Sequence, residues 1–145
     1  MASCGDDKLI KVWSTIDRRL QYTLKKHDNW VRHCEFSPTA CNMASCDDKF
    51  VYLWDLNTKK PIQTYKEHSG VIHKVKFHSL GNFLASCSHD KKIKLYDLRS
   101  QNVIQIYEGH SGPVKSIDFH PSAAYLISSS DDGTTKIWNS KKGQL

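Results

Sequence analysis

The chain has 145 residues, 39% hydrophobic, 25% charged and 10% aromatic, which places it among ordinary globular sequences and excludes disorder or a collagen-like repeat. Lys and Arg total 21 against 15 Asp and Glu, and the net charge of +6 favours acidic partners. No apolar run approaches the roughly 18 residues of a membrane-spanning helix, and Met1-Ala2-Ser3-Cys4-Gly5-Asp6-Asp7 has no signal-peptide core, so a cytosolic or nuclear protein without membrane contact is expected.

In chain order, one segment recurs four times: Ala2-Ser3-Cys4-Gly5-Asp6-Asp7-Lys8, Ala44-Ser45-Cys46-Asp47-Asp48-Lys49, Ala85-Ser86-Cys87-Ser88-His89-Asp90-Lys91 and Ile127-Ser128-Ser129-Ser130-Asp131-Asp132-Gly133. An aromatic follows each copy, at Trp13, Trp54, Tyr96 and Trp138, with separations of 41, 42 and 42 residues. His27, His68 and His110 precede the last three copies at the same period. A repeat of about forty residues therefore organises the whole chain.

The third copy shows the elements best. Short β-rich runs span Val71 to Phe77, Phe83 to Ser88, Ile93 to Asp97 and Val103 to Tyr107, four strands per repeat. Asp-Asp-Lys, His-Asp-Lys, Leu-Gly-Asn and His-Ser-Gly stretches supply turns between antiparallel neighbours. No sustained 3.6-residue period exists, so an all-β fold is predicted. Residues 1–24 hold three strands, 25–66 and 67–108 four each, and 109–145 three.

The five cysteines (Cys4, Cys34, Cys41, Cys46 and Cys87) are an odd set without CxxC spacing. Reduced, packed thiols are expected, and disulfides do not suit a reducing compartment. Cys34, Cys41, Cys46 and His33 together match no zinc-finger spacing. No cofactor, metal or small-molecule substrate is expected.

Trp54-Asp55, Tyr96-Asp97, Trp138-Asn139 and Gly109-His110 make the chain resemble the WD-repeat propeller family over essentially its whole length. Four-stranded sheets that cannot bury their faces alone imply blades arranged around an axis. At this period, 145 residues make about three and a half blades, and a seven-bladed ring would need about 290 residues. Missing sequence or neighbouring chains would complete such a ring.

Each repeat supplies Ser, His and Asp, the components of a hydrolase triad. A nucleophilic site is needed once, whereas these sets recur. The resemblance implies instead structural hydrogen-bond tetrads: His27, Cys46, Asp48 and Trp54; His68, Ser88, Asp90 and Tyr96; His110, Ser130, Asp132 and Trp138. In these, Asp orients His, His meets the hydroxyl, and the hydroxyl accepts from the aromatic. Around Trp13, Asp7 is present, Gly5 takes the Ser place, and the His would lie upstream of Met1.

With no phosphate-binding glycine loop and no unexplained carboxylate pair, the reading is non-catalytic. Function is expected on the loops flanking each first strand, where the copies diverge: Asn29-Trp30-Val31-Arg32, Gly70-Val71-Ile72-His73 and Gly112-Pro113-Val114-Lys115. Trp30, Arg32, His73 and Lys115 are the candidate partner-binding residues, with Trp30 and Arg32 composed like a binding hot spot. The alternative for Trp30 is packing between blades. Lys25-Lys26, Lys59-Lys60, Lys91-Lys92 and Lys141-Lys142 form either a solvated rim or a basic stripe for a polyanion. The absence of a basic run of five or of a reading motif disfavours nucleic acid.

A narrower resemblance rests on His27-Asp28-Asn29-Trp30-Val31-Arg32, Phe36-Ser37-Pro38, Phe119-His120-Pro121-Ser122 and Tyr125-Leu126-Ile127. These runs look like the centriolar WD-repeat family called proteome of centriole. That likeness implies a cytoplasmic, cytoskeletal scaffold of centrioles and basal bodies, with tubulin or microtubules and other centriolar proteins as partners. The alternative is a WD-repeat substrate receptor in a ubiquitin ligase or an adaptor in ribosome assembly.

Overall fold

The computed structural model describes residues 1–122 and 124–139. Lys141-Lys142 and the rest of the last six residues lie outside the described residues. Fourteen strands and no helix are present among the described residues, arranged as four antiparallel sheets. The first holds β1 (Ala2–Cys4), β2 (Leu9–Trp13) and β3 (Leu20–Lys25). The second holds β4 (His33–Phe36), β5 (Asn42–Cys46), β6 (Val51–Asp55) and β7 (Lys60–Tyr65). The third holds β8 (Ile72–Phe77), β9 (Phe83–Ser88), β10 (Ile93–Asp97) and β11 (Asn102–Tyr107). The fourth holds β12 (Val114–Phe119), β13 (Tyr125–Ser130) and β14 (Thr135–Asn139). Every sheet is a meander in chain order, and the whole is a partial propeller.

Burial explains why the central strands read as continuous apolar runs. Val51 to Trp54 and Ile93 to Tyr96 are buried throughout, because both faces of their sheets are covered. The outer strands alternate instead, as in Asn102–Tyr107, with one side open to solvent. Arg18, Lys59 and Gln101 take the same left-handed conformation (φ 53°, 59° and 59°) just before each outer strand. The register shifts at Val12/Trp13, Leu53/Trp54 and Leu95/Tyr96 are the bulges this turn creates.

The sheets stack through their inner strands β4, β8 and β12. Ala44 and Leu53 of the second sheet are covered by Ile72, Val75 and Phe77 of the third. Ala85 and Leu95 of the third are covered in the same way by Val114, Ile117 and Phe119. Ile10, Val12 and Leu24 meet Val31, Met43 and Trp54 between the first two sheets. A fully buried side chain such as Ile72 contributes about 2–3 kcal/mol of hydrophobic stabilisation. On the fourth sheet the matching pair, Ile127 and Ile137, is exposed at 41% and 58%.

Polar contacts also cross between inner strands. Lys76 Nζ lies 2.7 Å from Glu35 Oε1 and 3.5 Å from Asp118 Oδ1, so one ammonium bridges carboxylates of both neighbouring sheets. The other Glu35 oxygen accepts the Phe77 N–H at 2.8 Å. Lys74 donates to Ser116 Oγ at 3.1 Å.

Candidate functional site

Each complete tetrad joins the loop before an inner strand to the second and third strands of the same sheet. In the second sheet His27 Nδ1 lies 2.7 Å from Asp47 Oδ2, Nε2 lies 2.7 Å from Ser45 Oγ, and Trp54 Nε1 donates to Ser45 Oγ at 2.8 Å. In the third, His68 contacts Asp90 Oδ2 at 2.8 Å and Ser86 Oγ at 2.7 Å, and the Tyr96 hydroxyl is 3.0 Å from Ser86 Oγ. In the fourth, His110 contacts Asp132 and Ser128 at 2.8 Å each, and Trp138 Nε1 donates to Ser128 Oγ at 2.8 Å.

Hydrogen-bond chemistry orients these chains. The ionised Asp can only accept, so Nδ1 carries the imidazole proton and Nε2 accepts from the seryl hydroxyl. The seryl oxygen then accepts from the indole or phenol. Ser45, Ser86 and Ser128 are buried, and both functions of each hydroxyl are committed inside the protein. The arrangement satisfies buried polar groups and offers no nucleophile to a substrate.

Four expected tetrad members are corrected: Cys46, Asp48, Ser88 and Ser130 belong elsewhere, and Ser45, Asp47, Ser86 and Ser128 take their places. The reason is register. Tyr96 pairs with Leu84, and Ser86 stands opposite Lys94, so the aromatic reaches diagonally two residues along its partner strand. Ser88 lies two residues farther, at the turn, where it donates to Gly70 O at 3.0 Å and accepts the Asp90 N–H. Ser130 likewise accepts the Asp132 N–H. Cys46 Sγ points across to Ile72 O in the third sheet at 3.8 Å, and Asp48 accepts from Arg32.

The same register corrects the first repeat. Gly5 is the counterpart of Ser88 and Ser130, and Ser3 takes the tetrad position, accepting from Trp13 Nε1 at 2.9 Å. Asp7 accepts the Leu9 N–H and pairs with Lys11 at 2.9 Å. A count of ten residues back from Trp13, Tyr96 and Trp138 was the available sequence signal for Ser3, Ser86 and Ser128.

The Asp carboxyls are shifted down. Burial pushes Asp90 up, but bonds from His68 and from the N–H groups of Lys92 and Ser69 outweigh it and bring the pKa to about 2. Burial of Asp47 is similarly outweighed by His27, Lys49 and Phe50. The Thr134 hydroxyl, then His110 and two backbone N–H groups, hold Asp132 below the ordinary carboxylate range.

The second sheet has a shorter turn, with Asp47 two residues after its tetrad serine where Asp90 and Asp132 are four after theirs. In the third and fourth sheets the longer turn ties back to the loop, as His89 N donates to Val71 O and Asp131 N to Pro113 O. Trp30 stands at the corresponding place in the second sheet and is 49% exposed. The Arg32 guanidinium lies 5.4 Å from the Trp30 ring centroid, and its Nε donates to Asp48 at 3.0 Å. His73 and Lys115, on successive sheets, are 3.4 Å apart, and Lys115 is 3.3 Å from Asp131. Burial, then Lys115, His89 and Arg32, hold His73 below the usual histidine range. The four candidate partner-binding residues thus lie at one end of the sheets, which we call the histidine end.

The basic pairs do not form one stripe. Lys25-Lys26 and Lys91-Lys92 flank the histidine end, whereas Lys59-Lys60 sits in the β6–β7 turn at the other end. Among the described residues no group of three or more His, Cys, Asp or Glu side chains is arranged to hold a metal ion.

The model of the family described as WD domain, G-beta repeat matches residues 18–55, 59–97 and 101–139. Each match begins near an outer strand and runs through three strands of the next sheet. The chain is 42% identical over 48 residues to "Lissencephaly-1 homolog 1" of Paramecium tetraurelia, covering 33% of this chain and 12% of that protein. It is 40% identical over 45 residues to "Nuclear distribution protein PAC1" of Mycosarcoma maydis, covering 31% of this chain and 10% of that one. The matches thus span about a tenth of those relatives. Three matched repeats covering most of the sequence, on sheets of the corresponding strand order, establish that the chain belongs to the WD domain, G-beta repeat family.

Proposed function

We propose that this protein is a microtubule-associated scaffold of the centriole or basal body, binding tubulin and other centriolar proteins in the cytoplasm. WD repeats build protein-interaction scaffolds, and that coarser role follows from family membership. The observation that carries the reading is the half-exposed Trp30 with Arg32 beside it, next to the His73 and Lys115 pair, on a rigid end of stacked sheets. A large aromatic beside a guanidinium supplies apolar area and a planar donor set at low ordering cost. One relative is named a nuclear distribution protein, which supports a role in cellular organisation.

Co-sedimentation with microtubules tests the proposal. The folded protein should pellet at low salt, less at raised salt, and less again with Arg32→Glu. Unchanged pelleting of that variant would remove Arg32 from the interface, and failure of the parent protein to pellet would exclude tubulin as the partner.

A further inference from the structure

The end opposite the histidines presents a different chemistry. Its turns between third and outer strands carry Arg18 and Arg19 (β2–β3), Lys59 and Lys60 (β6–β7) and Arg99 (β10–β11), all exposed. Arg18 and Lys59 occupy the same left-handed position, so successive sheets project their cations from equivalent points. Among the described residues none of the five is in an ion pair.

The carboxylates of these turns are engaged by hydrogen bonds within the turns themselves. Asp55 accepts from Asn57 N and the Thr58 hydroxyl, Asp97 from Arg99 N and the Ser100 hydroxyl, and Asp17 from the Ser14 hydroxyl. At the histidine end, by contrast, Arg32, Lys92 and Lys115 are matched by Asp48, Glu108 and Asp131.

Apolar side chains lie among the free cations. Ile16 is 91% exposed, Leu20 46% and Ile62 44%. Lys59 Nζ reaches 4.8 Å from the Tyr22 ring centroid, which joins the β6–β7 turn to the outer strand of the first sheet. Exposed apolar groups rimmed by charge mark interaction sites.

We propose that the β2–β3, β6–β7 and β10–β11 turns form a docking surface for an acidic segment of a partner protein that also carries apolar residues. A phosphodiester backbone fits less well. Its uniformly charged backbone would leave Ile16, Leu20 and Ile62 unused. The inference shares with the scaffold reading only the premise that the partner is a protein, and it engages the opposite end.

Fluorescence anisotropy with a labelled peptide of repeating Glu-Glu-Leu tests it. The double variant Arg18→Glu, Lys59→Glu should weaken binding by about tenfold or more, with lost salt dependence. Ile62→Ser should weaken the same peptide but leave a repeating Glu-Glu-Ser peptide unaffected. Lys26→Glu with Lys91→Glu, at the histidine end, should change binding less than about twofold. All substituted side chains are exposed, and circular dichroism melts would verify folding. Equal losses from both ends would overturn the proposal, as would tighter binding of poly(U) RNA than of the peptide. Microtubule pelleting separates the two readings: peptide binding without pelleting removes only tubulin, and pelleting without peptide binding removes only this surface.

Discussion

The Tyr96 hydroxyl lies 3.0 Å from Ser86 Oγ, where the neighbouring sheets each bring an indole N–H to 2.8 Å from the equivalent serine. A phenol thus replaces an indole without loss of the bond, because both rings present a donor at the far edge of a flat, buried side chain. The serine remains the junction of the network in either case.

Removing that junction should cost more than removing the ring's donor. Ser86→Ala leaves both His68 Nε2 and the Tyr96 hydroxyl unpartnered, with an expected loss of about 1–3 kcal/mol. Tyr96→Phe leaves only Ser86 short of a donor and should cost about 1 kcal/mol. Urea unfolding of the two variants would establish the order, and a larger loss for Tyr96→Phe would contradict it.

Acid should loosen the same networks. Asp90 has a folded pKa of about 2, below the unfolded value of about 3.9, so its contribution is full above pH 4 and is lost as pH falls towards 2. Asp47 and Asp132, also lowered, act in the same direction. Thermal melts between pH 6 and pH 2 should show a progressive fall that is shallower in Asp90→Asn.

Gly70 and Gly112 owe their identity to the long turn. A Cβ on Gly70 would sit 2.8 Å from Asp90 N, and one on Gly112 2.9 Å from Asp132 N. Gly70→Ala should therefore displace the turn that holds His68 and cost about 1–3 kcal/mol. The shorter turn of the second sheet admits Asn29 at the matching place, so Asn29→Ala should change stability by less than about 0.5 kcal/mol.

Thiol labelling should follow exposure. Cys41 is exposed and should react with iodoacetamide first. Cys4 follows, since it is half-buried and a hydrogen bond from the Cys34 thiol lowers its pKa. Cys46 and Cys87 are buried, and burial pushes the Cys87 pKa up to about 12, so both should stay unmodified until the protein unfolds. Intact mass after timed alkylation would count the labelled sites.

The repeat spacing and β-rich runs already contain the all-β fold and the three or four antiparallel strands per sheet found among the described residues. Strand limits moved by one residue, to Ile72 and Asn102 in the third sheet. The tetrad serines were less legible, because each lies near a second Ser or Cys and alternation alone allows both. Only pairing register separates Ser86 from Ser88. The split of the lysine pairs between two ends was equally hidden, since it depends on which turn each pair occupies and not on spacing.

Lys76 belongs to no single pair of strands, as its ammonium is held by Glu35 on one side and Asp118 on the other. Apolar contacts between stacked sheets resist separation, but the hydrophobic attraction itself has no direction and registry there rests on packing alone. A shared ammonium fixes how far each inner strand stands along its neighbour. The three inner strands thereby share one charged contact beside their apolar ones, and the register of the middle strand is marked from both sides.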